Sequence, residues 1–300
     1  MNIFKVNDQI EFHEFPSNND AVFSILIPSW NNFPYLKLLI ESILEHSAFT
    51  HQICVHLNES CQKSIELLES KKISYSVSIS NTGVCFGFNA AAAMATCKYV
   101  LLLDDDMYVA PLWDKFLMDE VLKRKTNLWC ISGTMIERQG KQNPCVIYAD
   151  SFGDHPDNFE KERFLNQYAT IPFSDWTGSQ WYPLVLEKKI WDLIGGLSSD
   201  FSPGMYSDPD FMIKLWQVGV RDFMGVSQSR VYHFMSKSTS RVKKNDGRKQ
   251  FLLKWGISSS TFLKYYLRLG EKYNGPCTAP DPKIIQGPLL IDKIKRTIKF

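Results

Sequence analysis

The stretch YVLLLDDDMYV (residues 99–109) places largely apolar residues directly ahead of three acids, Asp104, Asp105 and Asp106. The apolar run reads as a buried strand. Three like charges at its end need a reason, because neighbouring unpaired carboxylates repel and one of them takes up a proton. Alternation along an extended chain sends Asp104 and Asp106 to one side and Asp105 to the other. A divalent cation removes the conflict. Magnesium and manganese take oxygen ligands, and magnesium is often held by one or two carboxylates plus substrate phosphates. The competing reading is a solvated turn leading into the next element.

The flanking sequence alternates in the same style. VFSILIP (22–28), HQICVHL (51–57) and ISYSVSIS (73–80) read as strands. YLKLLIESILEH (35–46), CQKSIELLESKK (61–72) and NAAAAMATC (89–97) read as helices, the last with Asn89 as its N-cap. This rhythm predicts a mostly parallel sheet with helices on both faces. Ligands of such sheets sit at the carboxyl ends of the strands, where PSWNN, NES, NTG and DDD all fall. Trp30 and Trp113 read as packing residues. Beyond residue 110 the pattern loosens. Residues 138–180 suggest long loops, 186–201 and 208–220 read as helices, and RVYHFM (230–235) as a short strand.

Bulk properties narrow the class. The 300 residues are 44% hydrophobic with a formal net charge of +2, which suits one large or two modest domains and offers no global field for nucleic acid. The first residues show no signal-peptide pattern, and no apolar run approaches the ~18 residues of a membrane span. Seven cysteines without a CxxC pair argue against a disulfide framework or zinc site and for a cytoplasmic location.

FSILIPSWNNFPYLKLLIESIL, VHLNES and NTGVCFGFNAAAAMATCKYVLLLDDDM together resemble, in order and spacing, the motif series of the inverting family-2 glycosyltransferases with the GT-A fold. The resemblance covers roughly residues 22–240. It implies an α/β GT-A catalytic domain over 1–240, with a nucleotide-binding half (22–110) and an acceptor-binding half (111–240), and a helical C-terminal extension over 241–300. It implies that Pro28, Asn31, Asn58, Asn81 and Gly83 line the nucleotide pocket, with Asp104 and Asp105 also touching the donor. Ordinary turn chemistry is the other account of the three asparagines. Asn58 departs from the acid the family often carries there, which leaves the nucleotide open.

MYSDPDFMIKLWQVG (205–219) resembles the family's Glu-Asp-x-Asp helix start, which makes Asp208 the catalytic base and Asp210 the second candidate. Ser207 stands where the family has Glu. With Pro209 beside it, Asp208 is also a good N-cap; alternatively Ser207 caps, Asp210 closes the turn and Asp208 is free. RVYHFMSKSTSR (230–241) resembles the family's histidine-bearing strand, so that Asp104, Asp106 and His233 would hold Mn2+ or Mg2+. Lys237, Ser238, Thr239 and Arg241 would then hold the diphosphate or form a polar loop. Trp176 and Trp181 are candidates to stack on acceptor sugars or to pack in the core.

The expected activity is metal-dependent, inverting transfer of a sugar from a nucleotide-diphosphate donor to a glycan or lipid-linked acceptor. A sugar-1-phosphate nucleotidyltransferase should carry a Gly-rich phosphate loop where PSWNNF stands. A non-catalytic sugar-nucleotide binder is the other alternative, kept open by Ser207. The tail PLLIDKIKRTIKF (288–300) spaces Leu290, Ile291, Ile294 and Ile298 among basic residues. As a basic amphipathic helix it would lie peripherally on the inner face of a membrane, or pack on the catalytic domain or a dimer partner.

Overall fold

In a computed structural model, residues 10–138, 143–236 and 243–298 are described. An edge strand β1 (Ile10–His13) precedes β2 (Phe23–Ser29), α1 (Phe33–His46), β3 (Gln52–Asn58), α2 (Gln62–Ser70), β4 (Ser74–Ser78), α3 (Val84–Ala93) and β5 (Tyr99–Leu102). Every residue of β2 and β3 is buried. That explains why they read as unbroken apolar runs: both faces of a parallel strand are covered by helices. β4, β3, β2 and β5 lie side by side and pair in parallel.

The second half adds β6 (Met107–Val109), α4 (Trp113–Leu122), β7 (Trp129–Arg138), β8 (Val146–Ala149), α5 (Lys161–Gln167), β9 (Trp176–Thr177), β10 (Leu184–Glu187), α6 (Lys188–Ile194), α7 (Ser207–Gln217) and β11 (Asp222–His233). β10 joins β5 to β7 with antiparallel pairing on both sides, and β11 runs parallel to β7 but antiparallel to β6. The whole sheet is therefore mixed, in the order β1-β4-β3-β2-β5-β10-β7-β11-β6. β11 is twelve residues long rather than a short strand, and the helix expected over 186–201 is confined to Lys188–Ile194. α8 (Gly247–Trp255), α9 (Ser259–Thr261) and α10 (Pro282–Ile298) follow.

Alternation splits β2 between two cores. Ile25 and Ile27 face α1, α2 and α4, while Leu26 faces α3, α6 and α7. α3 begins at Val84, so Asn89 is not an N-cap. Its Nδ2 donates to the Leu197 carbonyl at 2.7 Å and its Oδ1 accepts from the Leu197 N–H at 2.9 Å, which ties α3 to the turn after α6. No helix among the described residues is long and apolar enough to cross a membrane.

Candidate active site

The carboxyl ends of β2, β3 and β5 open into a cavity of about 1040 Å³. β5 stops at Leu102 and β6 starts at Met107, so the acid triplet occupies the short connection between them. The two sides expected from alternation are nevertheless realised. Asp105 Oδ1 accepts from Asn32 Nδ2 at 2.9 Å. Asp104 and Asp106 instead converge with His233, and one ligand atom of each lies within 4.8 Å of the others. Register brings the histidine there, since His233 pairs with Met107 on β6 and its neighbour Tyr232 pairs with Ile136 on β7.

The cluster is held from behind. His233 Nδ1 lies 2.7 Å from Glu137 Oε1, and its Nε2 lies 3.4 Å from Asp106 Oδ1. Asp106 Oδ2 accepts from the Ser236 N–H at 2.7 Å. Burial, reinforced by the charge of Asp106, holds the Asp104 carboxyl well above its ordinary range. For Asp106 burial opposes ionisation, but the adjacent His233 and Ser236 outweigh it and lower its pKa. For His233 burial likewise opposes charge, and Asp106 with Glu137 overrules it, raising the pKa well above normal. Two carboxylates and an imidazole are a donor set that could hold a divalent cation, and a carboxylate behind the imidazole is the usual means of fixing a ligating ring.

Asp208 lines the same cavity from the start of α7. Neither capping arrangement forms. Tyr206 occupies the N-cap position with φ +70° and gives no side-chain cap, while Ser207 Oγ donates to the Gly204 carbonyl at 2.7 Å. Asp210 is fully buried, accepts from Ser198 Oγ at 2.6 Å and Trp255 Nε1 at 2.8 Å, and pairs with Lys254 at 2.9 Å. It is thereby removed from contention as a base. Among the described residues Asp208 keeps one side-chain partner, the Tyr182 hydroxyl, which donates to Oδ1 at 3.5 Å. Burial pushes its pKa up to about 6, against a lowering contribution from that hydroxyl.

The family model described as glycosyl transferase family 2 matches residues 24–177, just over half of the chain. The chain belongs to that family. A hyaluronan synthase from Pasteurella multocida is 24% identical over 237 residues, 76% of this chain and 22% of the relative. A chondroitin synthase from Pasteurella multocida (strain Pm70) is 28% identical over 216 residues, 70% of this chain and 20% of the relative. The chain thus spans about a fifth of the length of these two relatives. Among solved structures, S. aureus TarS 1-349 superposes with a TM-score of 0.55 at 13% identity, over 93% of this chain and 72% of that one. GalNAc-T7, solved with UDP, GalNAc and Mn2+, gives 0.55 at 13% identity over 83% and 49%. These likenesses show a GT-A fold.

In this family-2 chain Pro28, Asn58, Asn81, Gly83 and all three acids of the triplet line the cavity. Asn58 Oδ1 accepts from both the N–H and the hydroxyl of Thr82, at 2.9 and 2.8 Å, and Asn81 Oδ1 accepts from the Gly83 N–H at 2.9 Å. Turn chemistry is therefore present at both positions alongside exposure to the cavity. Asn31 is not among the lining residues, and its Nδ2 donates to Glu59 Oε2 at 3.1 Å. Trp30, expected to be a packing residue, instead lines the cavity and donates from Nε1 to the same Glu59 oxygen at 2.8 Å. Trp113 is fully buried. Trp181 faces the cavity, whereas Trp176 is buried with Nε1 bonded to Thr134 Oγ1 at 3.0 Å. Lys237, Ser238, Thr239 and Arg241 lie outside the described residues. Sequence reasoning misses Glu137 and Tyr182. The available signal for Glu137 is a carboxylate near the end of the otherwise uncharged run WCISGTMI (129–136).

Proposed function

We propose that this chain is a metal-dependent, inverting glycosyltransferase that moves a sugar from a nucleotide-diphosphate donor to a glycan or lipid-linked acceptor. One observation carries the proposal: a metal-competent cluster, Asp104, Asp106 and His233, shares one cavity with a separate carboxylate, Asp208, that is not engaged in capping α7. Inversion requires a base placed apart from the diphosphate, and a positioned carboxylate answers that need. Family membership and the glycan-synthase names of the two relatives support a glycan acceptor.

Asp104, Asp106 and His233 would hold the cation, which when bound neutralises charge on the leaving diphosphate. The chain's own residues do the rest. Pro28, Asn58, Asn81 and Gly83 border the space for the nucleotide. An Asp208 oxygen takes the proton of the acceptor hydroxyl as that oxygen bonds to the anomeric carbon. The bond from that carbon to the diphosphate breaks, and its electron pair leaves with the diphosphate. A carboxylate with a pKa of about 6 is largely ionised at neutral pH yet more basic than an exposed one.

The test is a thermal shift with Mn2+ and a panel of UDP-, GDP- and CMP-sugars, starting with UDP because it is present in the GalNAc-T7 complex. Stabilisation by a nucleotide-diphosphate sugar only when Mn2+ or Mg2+ is present, lost in Asp106→Ala, is expected. Stabilisation by none of the donors, or stabilisation indifferent to metal, would overturn the metal-dependent reading. Product stereochemistry by NMR then decides inversion.

A further inference from the structure

Helix α10 carries an apolar stripe that the fold does not use. Of its seventeen residues only Ile285 and Asp292 are buried. Asp292 is the helix's single acid, and its Oδ2 accepts from the N–H and hydroxyl of Ser258 at 2.9 and 3.1 Å. Ile285 and Asp292, seven residues apart, therefore mark the docked face. At about 100° per residue, Ile284, Leu290, Ile291, Ile294 and Ile298 fall within one arc on the far side of the helix. They are 62, 58, 53, 46 and 77% exposed. Lys283 lies within this arc and Lys293 and Lys295 beside it, whereas Arg296 turns back to the docked face near Gly256, and no carboxylate of the helix faces outward with the lysines.

Five large aliphatic side chains exposed along one side of a helix are a poor solvent face. An outward apolar stripe bordered by lysines and by no acid of the helix matches an interface where acyl chains lie beneath anionic headgroups. We infer that α10 binds the chain peripherally to an anionic lipid surface, lying in its plane with Ile284, Leu290, Ile291, Ile294 and Ile298 inserted. The aliphatic residues contribute insertion, and the lysines contribute attraction that salt screens. A second copy of the chain would bury the apolar stripe but would set lysines against lysines, which disfavours a symmetric pairing of these helices.

Co-sedimentation of the full chain with vesicles tests this without any sugar nucleotide, so its outcome is separate from that of the transferase reading. The chain should pellet with phosphatidylcholine vesicles containing phosphatidylglycerol, and about tenfold less with phosphatidylcholine alone or at high salt. Ile291→Asp with Ile294→Asp should remove pelleting, while Lys283→Glu with Lys293→Glu should weaken it and flatten its salt dependence. Because these side chains point outward, circular dichroism and melting temperature should be unchanged in both variants. Three results would overturn the inference: no pelleting with either vesicle, equal pelleting of wild type and the Ile291→Asp/Ile294→Asp variant, or a concentration-dependent dimer dispersed by that variant without vesicle binding. Loss of folding in the Ile291→Asp/Ile294→Asp variant would also count against it, since it would show that the stripe is packed.

Discussion

Asp208 illustrates how a single position can trade stability for chemistry. Its folded pKa, about 6, lies above that of an exposed aspartate, so the folded state binds the proton more tightly than the unfolded one. The sign follows: its ionisation destabilises the fold as pH rises through that range, by on the order of 2–3 kcal/mol at most. Asp208→Asn should therefore raise the melting temperature at pH 8 while leaving metal-dependent donor binding intact and abolishing transfer. A capping aspartate would do the reverse and lower it, so calorimetry beside an activity assay separates the two roles. For the native chain, kcat/KM should fall as pH drops through about 6, because the base is then protonated. Tyr182→Phe removes the hydroxyl that opposes the upward shift, so this acid limb should move to higher pH with kcat reduced. Sequence points to Asp208 by its place before a helix, but two capping arrangements explain the same letters equally well. What separates them is the left-handed backbone at Tyr206, which starts the helix without a side-chain cap.

At the level of elements, the alternation over residues 22–110 is legible because its strands are buried on both faces and its helices carry regular stripes. The start of α3 is not. Val84, Phe86, Gly87 and Phe88 are weak helix formers, so the small-residue run after them attracts the assignment. The actual start is set by Gly83, whose φ is +87° and where an added Cβ would sit 2.9 Å from the Ser202 side chain, so no larger residue suits it. The second half is less legible still, because β10 and β7 pair antiparallel and β9 is only two residues long. Pairing also decides the fate of two tryptophans that sequence leaves equivalent. β9 lies against β11 so that the Trp176 indole covers Gly225, where an added Cβ would sit 1.9 Å from the ring. Trp176→Ala should cost roughly 3–5 kcal/mol in chemical denaturation. Trp181→Ala, at the cavity wall, should mainly raise the acceptor KM. A Trp176→Ala variant of native stability would mean that the indole is not part of the core.

For the whole molecule, the question is how much of the chain the active site needs. Residues 245–277 are not an appendage. Phe251, Phe262, Leu267 and Cys277 share one buried core with α3, α6 and α7, and Trp216 of α7 packs edge-on against Tyr266 at 5.4 Å. The backbone of 270–273 bonds to Thr177 and Asp175, and Leu269 lines the cavity itself. Gln250 Nε2 donates to the Asp200 carbonyl at 2.5 Å, and Asn245 Nδ2 to the Met205 carbonyl at 3.2 Å, so this segment also braces the loop leading to Asp208. α10 differs, since it leaves in the core only Ile285 and the Asp292 contact with Ser258. Two truncations should therefore behave oppositely. A chain ending at residue 242 would expose the core around Trp216 and Phe223, and should bind a hydrophobic dye and fail to melt cooperatively. A chain ending at 281 should melt cooperatively, weakened by roughly 2–4 kcal/mol for one buried aliphatic residue and one charged hydrogen-bond pair. It should also retain metal-dependent donor binding by thermal shift. Cooperative folding of the shorter chain would place the boundary of the catalytic unit near residue 240 and make the contacts of 245–277 dispensable. Failure of the longer one would give α10 a share in holding the core, in addition to its outward face.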